Sequence, residues 1–123
     1  MRPSRQSVET HYDRHARNAL FAYAKGNPRI ELSIAHSLRW IPKDVKHILD
    51  LGCALGWSSW EFKSKRPQAG VFAIDIGPEN ISLASQLFTG AGVEFQTFDL
   101  TRDAWERKEK YDVVVLLDVY EHI

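Results

Sequence analysis

The sequence contains one cysteine, Cys53. A single thiol cannot close an intrachain disulfide and brings no second thiolate for a structural zinc site, a pattern that fits a reducing compartment. Long hydrophobic runs are also missing: none approaches the roughly 20 apolar residues of a membrane-spanning helix. The first ten residues, MRPSRQSVET, lack the apolar stretch of a secretory signal. Nor is there an excess of charge of either sign, since 16 basic residues balance 16 acidic ones. Without a net field, composition indicates neither a nucleic-acid partner nor an anionic membrane surface. Repeats and low-complexity tracts are absent as well. The expectation is a cytoplasmic protein with no nucleic-acid or membrane partner.

What is present suits a folded domain. Hydrophobic residues make up 44% and charged residues 26% of 123 positions, a globular balance with length for one domain. Residues 1–45 read as a helical lead-in and residues 46–123 as the core. Val8, Tyr12, Ala16, Ala19, Leu20 and Tyr23 recur at helical spacing over residues 7–25. Gly26-Asn27-Pro28 then supplies a C-terminal cap, an N-cap and a first-turn proline. Ile30, Ile34, Leu38 and Ile41 form the stripe of a second helix, which Pro42 ends. Beyond it, short apolar runs alternate with helical patterns. Strands are expected at 47–51, 71–75, 93–98 and 111–117. Helices are expected at 58–66, closed by Pro67, and after Gly77-Pro78, carrying Ile81, Ala84, Leu87 and Phe88 up to Gly90-Ala91-Gly92. Residues 100–110 are polar and compatible with a short helix around Trp105. This alternation implies a doubly wound α/β fold with a mainly parallel sheet of about four strands and helices on both faces. Val113 to Leu117 shows no in-out alternation, as for a strand buried on both sides. Trp57 and Trp60 are expected to pack their helix onto the sheet, and Trp40 and Trp105 to be packing residues.

In such sheets ligands bind outside the carboxyl ends of the strands. Asp50, Asp75, Asp99 and Asp118 each fall at such an end. The most specific segment is Ile48-Leu49-Asp50-Leu51-Gly52-Cys53-Ala54-Leu55-Gly56, a strand running through a glycine turn into a helix. Gly52 lets the chain turn and approach a ligand without a Cβ, and Gly56 permits close packing where the helix begins. No Lys-Ser or Lys-Thr follows, so this is not a phosphate-binding loop, and the dinucleotide pattern G-x-G-x-x-G is absent. An acid two residues before the first glycine disfavours pyrophosphate and favours a ligand carrying positive charge.

These residues resemble the motifs of the class I, Rossmann-like S-adenosylmethionine-dependent methyltransferases, as their N-terminal cofactor-binding portion. The resemblance runs from Ser7 to Ile123. It implies S-adenosylmethionine as cofactor and strand order 3-2-1-4, with the C-terminal strands of the family fold missing. Asp50, Gly52, Cys53, Ala54 and Gly56 would surround the methionine part, with alanine at 54 where the family often has glycine. Asp75 would accept from both ribose hydroxyls and Ile76 would pack on adenine. Asp99 would accept from the adenine amino group, and the Leu100 amide would donate to the ring. Residues 111–123 resemble the fourth motif, a strand ending in an acid, Asp118, followed by Glu121-His122. That trio could present ligands to one hard divalent ion, but a role in holding the loop or substrate is preferred and no metal is assigned. His122 is the candidate general base by type and position. Tyr12 resembles an aromatic that closes over the cofactor in some members, although a core-facing tyrosine is the preferred reading. The implied reaction is methyl transfer to an oxygen, nitrogen or carbon nucleophile, with a small-molecule acceptor as partner. The alternatives are a non-catalytic cofactor-binding fragment or scaffold, and an NAD-dependent dehydrogenase.

In that strand order the fourth strand is an edge, apolar and without lysine, proline or bulge to protect it. The isolated 123-residue chain is therefore expected to self-associate through it and to show no measurable methyl transfer. Sedimentation at several concentrations, with a transfer assay on the same sample, checks both; a stable monomer with turnover contradicts them.

Overall fold

The structure is a computed structural model, and it describes residues 28–117. The expected helix over residues 7–25, with Tyr12, and the positions Asp118, Glu121 and His122 lie outside the described residues. Among those described, the elements in chain order are α1 (Pro28–Trp40), β1 (His47–Leu51), α2 (Trp57–Lys65), β2 (Gly70–Asp75), α3 (Pro78–Leu87), β3 (Val93–Thr97) and β4 (Val113–Leu116). No helix among the described residues is long and apolar enough to cross a membrane.

The four strands form one parallel sheet in the order β3-β2-β1-β4, as expected. Asp50 on β1 lies level with Ala73 on β2 and Val115 on β4. The central strands are buried on both faces. On one face Ile48 and Val71 pack with Val115, Phe62 of α2 and Ile34 of α1. Further along the same face Ala73 meets Cys53 and Ile81 of α3. The stripe read for α1 is the one used: Ile34 and Ile41 are buried, and Ile30 and Leu38 pack against them.

Local chemistry explains where α1 stops. Arg66, just past α2, donates from its guanidinium to the carbonyls of Leu38 (3.0 Å), Ile41 (2.8 Å) and Pro42 (3.1 Å). A cation there satisfies carbonyls that the helix end leaves unpaired and complements its negative pole. At the start of the outer pairing, Asp112 accepts from the amides of Lys46 (2.8 Å) and His47 (3.0 Å), joining the entry of β4 to that of β1. These bonds hold the Asp112 carboxyl below its ordinary range.

Among the described residues the two faces are covered differently from each other. α1, α2 and α3 share the first face. On the second, Leu49, Phe72 and Ile74 are covered by Phe98 and Tyr111, from residues 98–112, which contain no helix. Trp105 therefore lies in irregular chain and not on a short helix. It packs edge-on against Phe98, with ring centroids 5.3 Å apart. This segment spans β1 and β2 but not β4, so Val114 and Leu116 are 49% and 44% exposed. β4 is thus buried on one side only among the described residues. Trp40 also departs from expectation, lying 77% exposed on the outer side of α1 beside His36. Trp57 and Trp60 pack with each other and with Phe88 at the end of α3, and Trp57 also packs against the core cluster on the sheet.

Phe62 has no exposed surface and sits among residues of α1, β1 and β2. Phe62→Ala is expected to cost about 3–5 kcal/mol through lost burial and an unfilled cavity. Denaturant unfolding should show a lowered midpoint with an unchanged slope.

Candidate functional site

The carboxyl end of β1 runs into the loop before α2, residues 52–56, and the carboxyl end of β2 lies beside it. Its path is held from β2: the Ile74 carbonyl accepts from the amides of both Gly52 (2.8 Å) and Cys53 (2.9 Å). Three of its residues have left-handed backbone, Gly52 at φ 75°, Ala54 at φ 50° and Gly56 at φ 85°. Two are glycines, for which this region is open. Ala54 is not, and the left-handed conformation costs an L-residue roughly 1–2 kcal/mol. Gly56 has a second reason. A Cβ there would lie 2.7 Å from Cε1 of Phe95 and 3.1 Å from Cβ of Ala84. Its missing side chain lets the start of α2 sit against β3 and α3, the close packing expected from the sequence.

Two carboxylates organise this loop, and neither is simply free on the rim. Asp75, the last residue of β2, accepts from the Ala54 amide at Oδ1 (3.1 Å), and at Oδ2 from the Gly77 amide (3.0 Å) and the Asn80 side chain (3.1 Å). A carboxylate offers about four acceptor positions. One on Oδ1 is left, so accepting two further hydroxyls requires exchange with the Asn80 amide. Asp50 sits one residue inside β1 and not at its mouth, on the helix-covered face and fully buried. Its Oδ2 accepts from the hydroxyls of Ser58 (2.6 Å) and Ser59 (2.7 Å) in the first turn of α2. Oδ1 is buried with no hydrogen-bond partner among the described residues. A negative group below a helix N-terminus is favoured by the helix dipole. Burial nevertheless dominates and pushes the Asp50 carboxyl up; the serine hydroxyls hold it down, and the nearby Asp75 charge adds to the rise. Burial, with Asp50 and Asp75 close by, also pushes up the Cys53 thiol, so it stays protonated and unreactive near neutrality.

The other candidates among the described residues are Ile76, Asp99 and Leu100. Ile76, directly after Asp75, is 67% exposed, and Leu100 is 48% exposed. Both present apolar surface at the strand ends. Asp99 follows β3 by two residues. Its Oδ1 accepts from the Thr101 amide (2.9 Å) and hydroxyl (2.6 Å), while its own amide donates to Asp103 Oδ2 (2.7 Å). The Thr101 bonds hold its carboxyl below the ordinary range. The turn-forming role of Asp99 is therefore real, and Oδ2 is the oxygen not engaged in it.

The order of strands, the glycine loop at β1 and the acid closing β2 agree with a known family. The family model described as "Methyltransferase domain" matches residues 13–123. This chain belongs to that family. Over 108 residues this methyltransferase domain is 32% identical to a malonyl-[acyl-carrier protein] O-methyltransferase of Acetivibrio thermocellus, covering 88% of this chain and 37% of the relative. Over 92 residues it is 35% identical to a ubiquinone biosynthesis O-methyltransferase of Pseudomonas fluorescens, covering 70% of this chain and 39% of the relative. The chain thus spans about two fifths of the length of these curated relatives. Among solved structures, a TehB-like SAM-dependent methyltransferase from Corynebacterium glutamicum shares the fold with a TM-score of 0.73 at 23% identity, covering 89% of this chain and 55% of that one.

The methyltransferase domain also uses residues that its sequence did not single out. Ser58 and Ser59 were legible only as polar positions in a helix, although a Ser-Ser pair two residues after a glycine loop is a usable signal. Asn80, five residues after Asp75, carries none by itself.

The Asp50 carboxyl has a definite consequence for stability. Because its folded pKa is raised, the folded state holds this proton more tightly than the unfolded chain does. Its stabilising contribution is full below the ordinary value of 3.8 and is lost as pH rises through the raised folded value. The isosteric Asp50→Asn variant cannot titrate. Thermal unfolding from pH 4 to 8 is expected to show wild-type stability falling with pH relative to this variant. Parallel curves would contradict the assignment.

Proposed function

We propose that this chain is the cofactor-binding part of an S-adenosylmethionine-dependent methyltransferase that methylates an oxygen, nitrogen or carbon nucleophile of a small molecule. The observation that carries the reading is the glycine turn at residues 52–56 with acids, and no Lys or Arg within it, on the adjoining strand ends. The names of the relatives favour oxygen, since both quoted curated proteins are O-methyltransferases.

The donor set fits such a cofactor. Its sulfonium and ammonium groups are positive, and the Asp75 carboxylate stands beside the loop. The unpartnered, buried Asp50 Oδ1 is the kind of atom that a bound donor, direct or through water, satisfies. Gly52 and the left-handed Ala54 bring backbone close to the rim without bulky side chains. Asp75 would hold the ribose through its remaining position on Oδ1 and by exchange with Asn80. Exposed Ile76 would lie against one face of the adenine, and Asp99 Oδ2 with the Leu100 amide would meet its edge. The cofactor supplies the activated methyl group. The chain's own part is to bind and orient it at the rim and to keep water from one side. Asp118 would close the fourth strand's end of the pocket, and His122 is the residue that could take the acceptor's proton. Glu121 would steady that segment.

Calorimetric titration with S-adenosylhomocysteine and with NAD tests the reading, and tighter NAD binding would overturn it. Asp75→Ala is expected to weaken S-adenosylhomocysteine by roughly tenfold or more, from about 1–3 kcal/mol for donors left unpaired. An unchanged dissociation constant, in a variant of wild-type thermal stability, removes Asp75 from the ribose role.

A further inference from the structure

Residues 98–112 form an exposed connection without a helix, yet they carry Asp99 and Leu100 to the rim. Arg107 is what fastens them. Its guanidinium lies 3.6 Å from the centroid of the Phe72 ring. Nη1 and Nη2 each donate at 2.9 Å to the two carboxylate oxygens of Glu94, and Nε donates to the Tyr111 hydroxyl at 3.0 Å. Nη2 also reaches Glu109 at 3.0 Å. One planar group thus ties the connection to β3, to β2 and to the entry of β4. A forked, stacked arginine holds a geometry that lysine cannot reproduce.

The fastening passes to the rim by direct contacts. Trp105, two residues before Arg107, packs with Phe72 and Tyr111 (6.1 Å each between centroids) and edge-on against Phe98 (5.3 Å). Phe98 is buried, and its amide donates to the Asp75 carbonyl at 2.9 Å. Asp99 is the next residue, and its carbonyl accepts from the amides of Arg102 and Asp103 to close the turn. Trp105 thus links the part of the connection that Arg107 holds on Phe72 to Phe98 and the turn that follows it.

We propose that Arg107, through Glu94 and Trp105, is a positioning residue for the adenine end of the cofactor, holding the 99–103 turn so that Asp99 and Leu100 face the base. This rests on the cofactor reading above. The discriminating probe is the pair S-adenosylhomocysteine and S-inosylhomocysteine, which differ at the group that Asp99 would read. Wild type should prefer the adenine form. Arg107→Ala, and more mildly Arg107→Lys and Glu94→Gln, should lower that preference by roughly three- to tenfold, the size of a single lost hydrogen bond. Amide exchange of Arg102 and Asp103 should rise in parallel. If the alanine variant does not fold, the two conservative variants carry the test. An unchanged preference, or equal weakening of both ligands, overturns the positioning role. If wild type binds neither ligand, the cofactor reading falls and the adenine role with it; unchanged amide exchange in the variants would then overturn the fastening itself.

Discussion

The rim depends on two acceptors at the end of β2. The Ile74 carbonyl takes two successive amides of the glycine loop, and the next residue's carboxylate takes a third from Ala54. Three consecutive donors of a loop in left-handed and turning conformations have no regular secondary structure to pair with, so their partners must come from a neighbouring strand. Because β2 is the neighbour of β1 in a parallel sheet, its last residues stand beside that loop. The loop's shape, the start of α2 and the placement of Asp50 under that helix all follow from this pairing. It also explains why Asp75 is so heavily used. A residue that builds the loop keeps few acceptor positions for anything else, and in the proposed ribose role Asn80 is the partner that would step aside.

The two faces of the sheet are covered by different physics. On one, three helices lay down aliphatic side chains and Phe62 in a close-packed layer. On the other, an irregular connection relies on a small set of aromatic rings and one guanidinium. A helix satisfies its own backbone. An irregular segment has to find a partner for each group, and exposed ones settle for water. The second cover is therefore narrower and does not reach β4, whose Val114 and Leu116 stay half-exposed.

Most of the architecture was legible because it is local. The α1 stripe, Pro42, Gly77-Pro78 and the apolar runs each act within a few residues, and alternation then imposes the parallel sheet. Gly52 and Gly56 were legible because their backbone angles admit little else. Features resting on contacts between distant segments were not. Asp50 reads as a strand-end acid, but β1 runs one residue further, and the parity of the strand turns its carboxylate beneath α2. Arg107 reads as one charge in a polar stretch, since nothing near it in sequence announces Glu94 thirteen residues away. Residues 113–117 promised a strand buried twice over, because apolarity records what a strand tolerates and not what happens to lie on it. Trp40 shows the same limit on a helix: aromatic character argued for packing, while its position on α1 turns it outward.

The order of strands also sets an order in time. β1 lies between β2, which follows it closely in the chain, and β4, whose entry is tied to His47 across 65 residues of sequence. During synthesis the β2 side of the central strand can close early, whereas the β4 side must wait for those residues to be made, about 3–13 s at ribosomal rates of roughly 5–20 residues per second. For that interval Ile48 and Leu49, buried in the finished fold, border an open strand edge. The nascent chain thus passes through stages in which β1 has no β4 beside it, and slow codons between residues 52 and 112 would lengthen them.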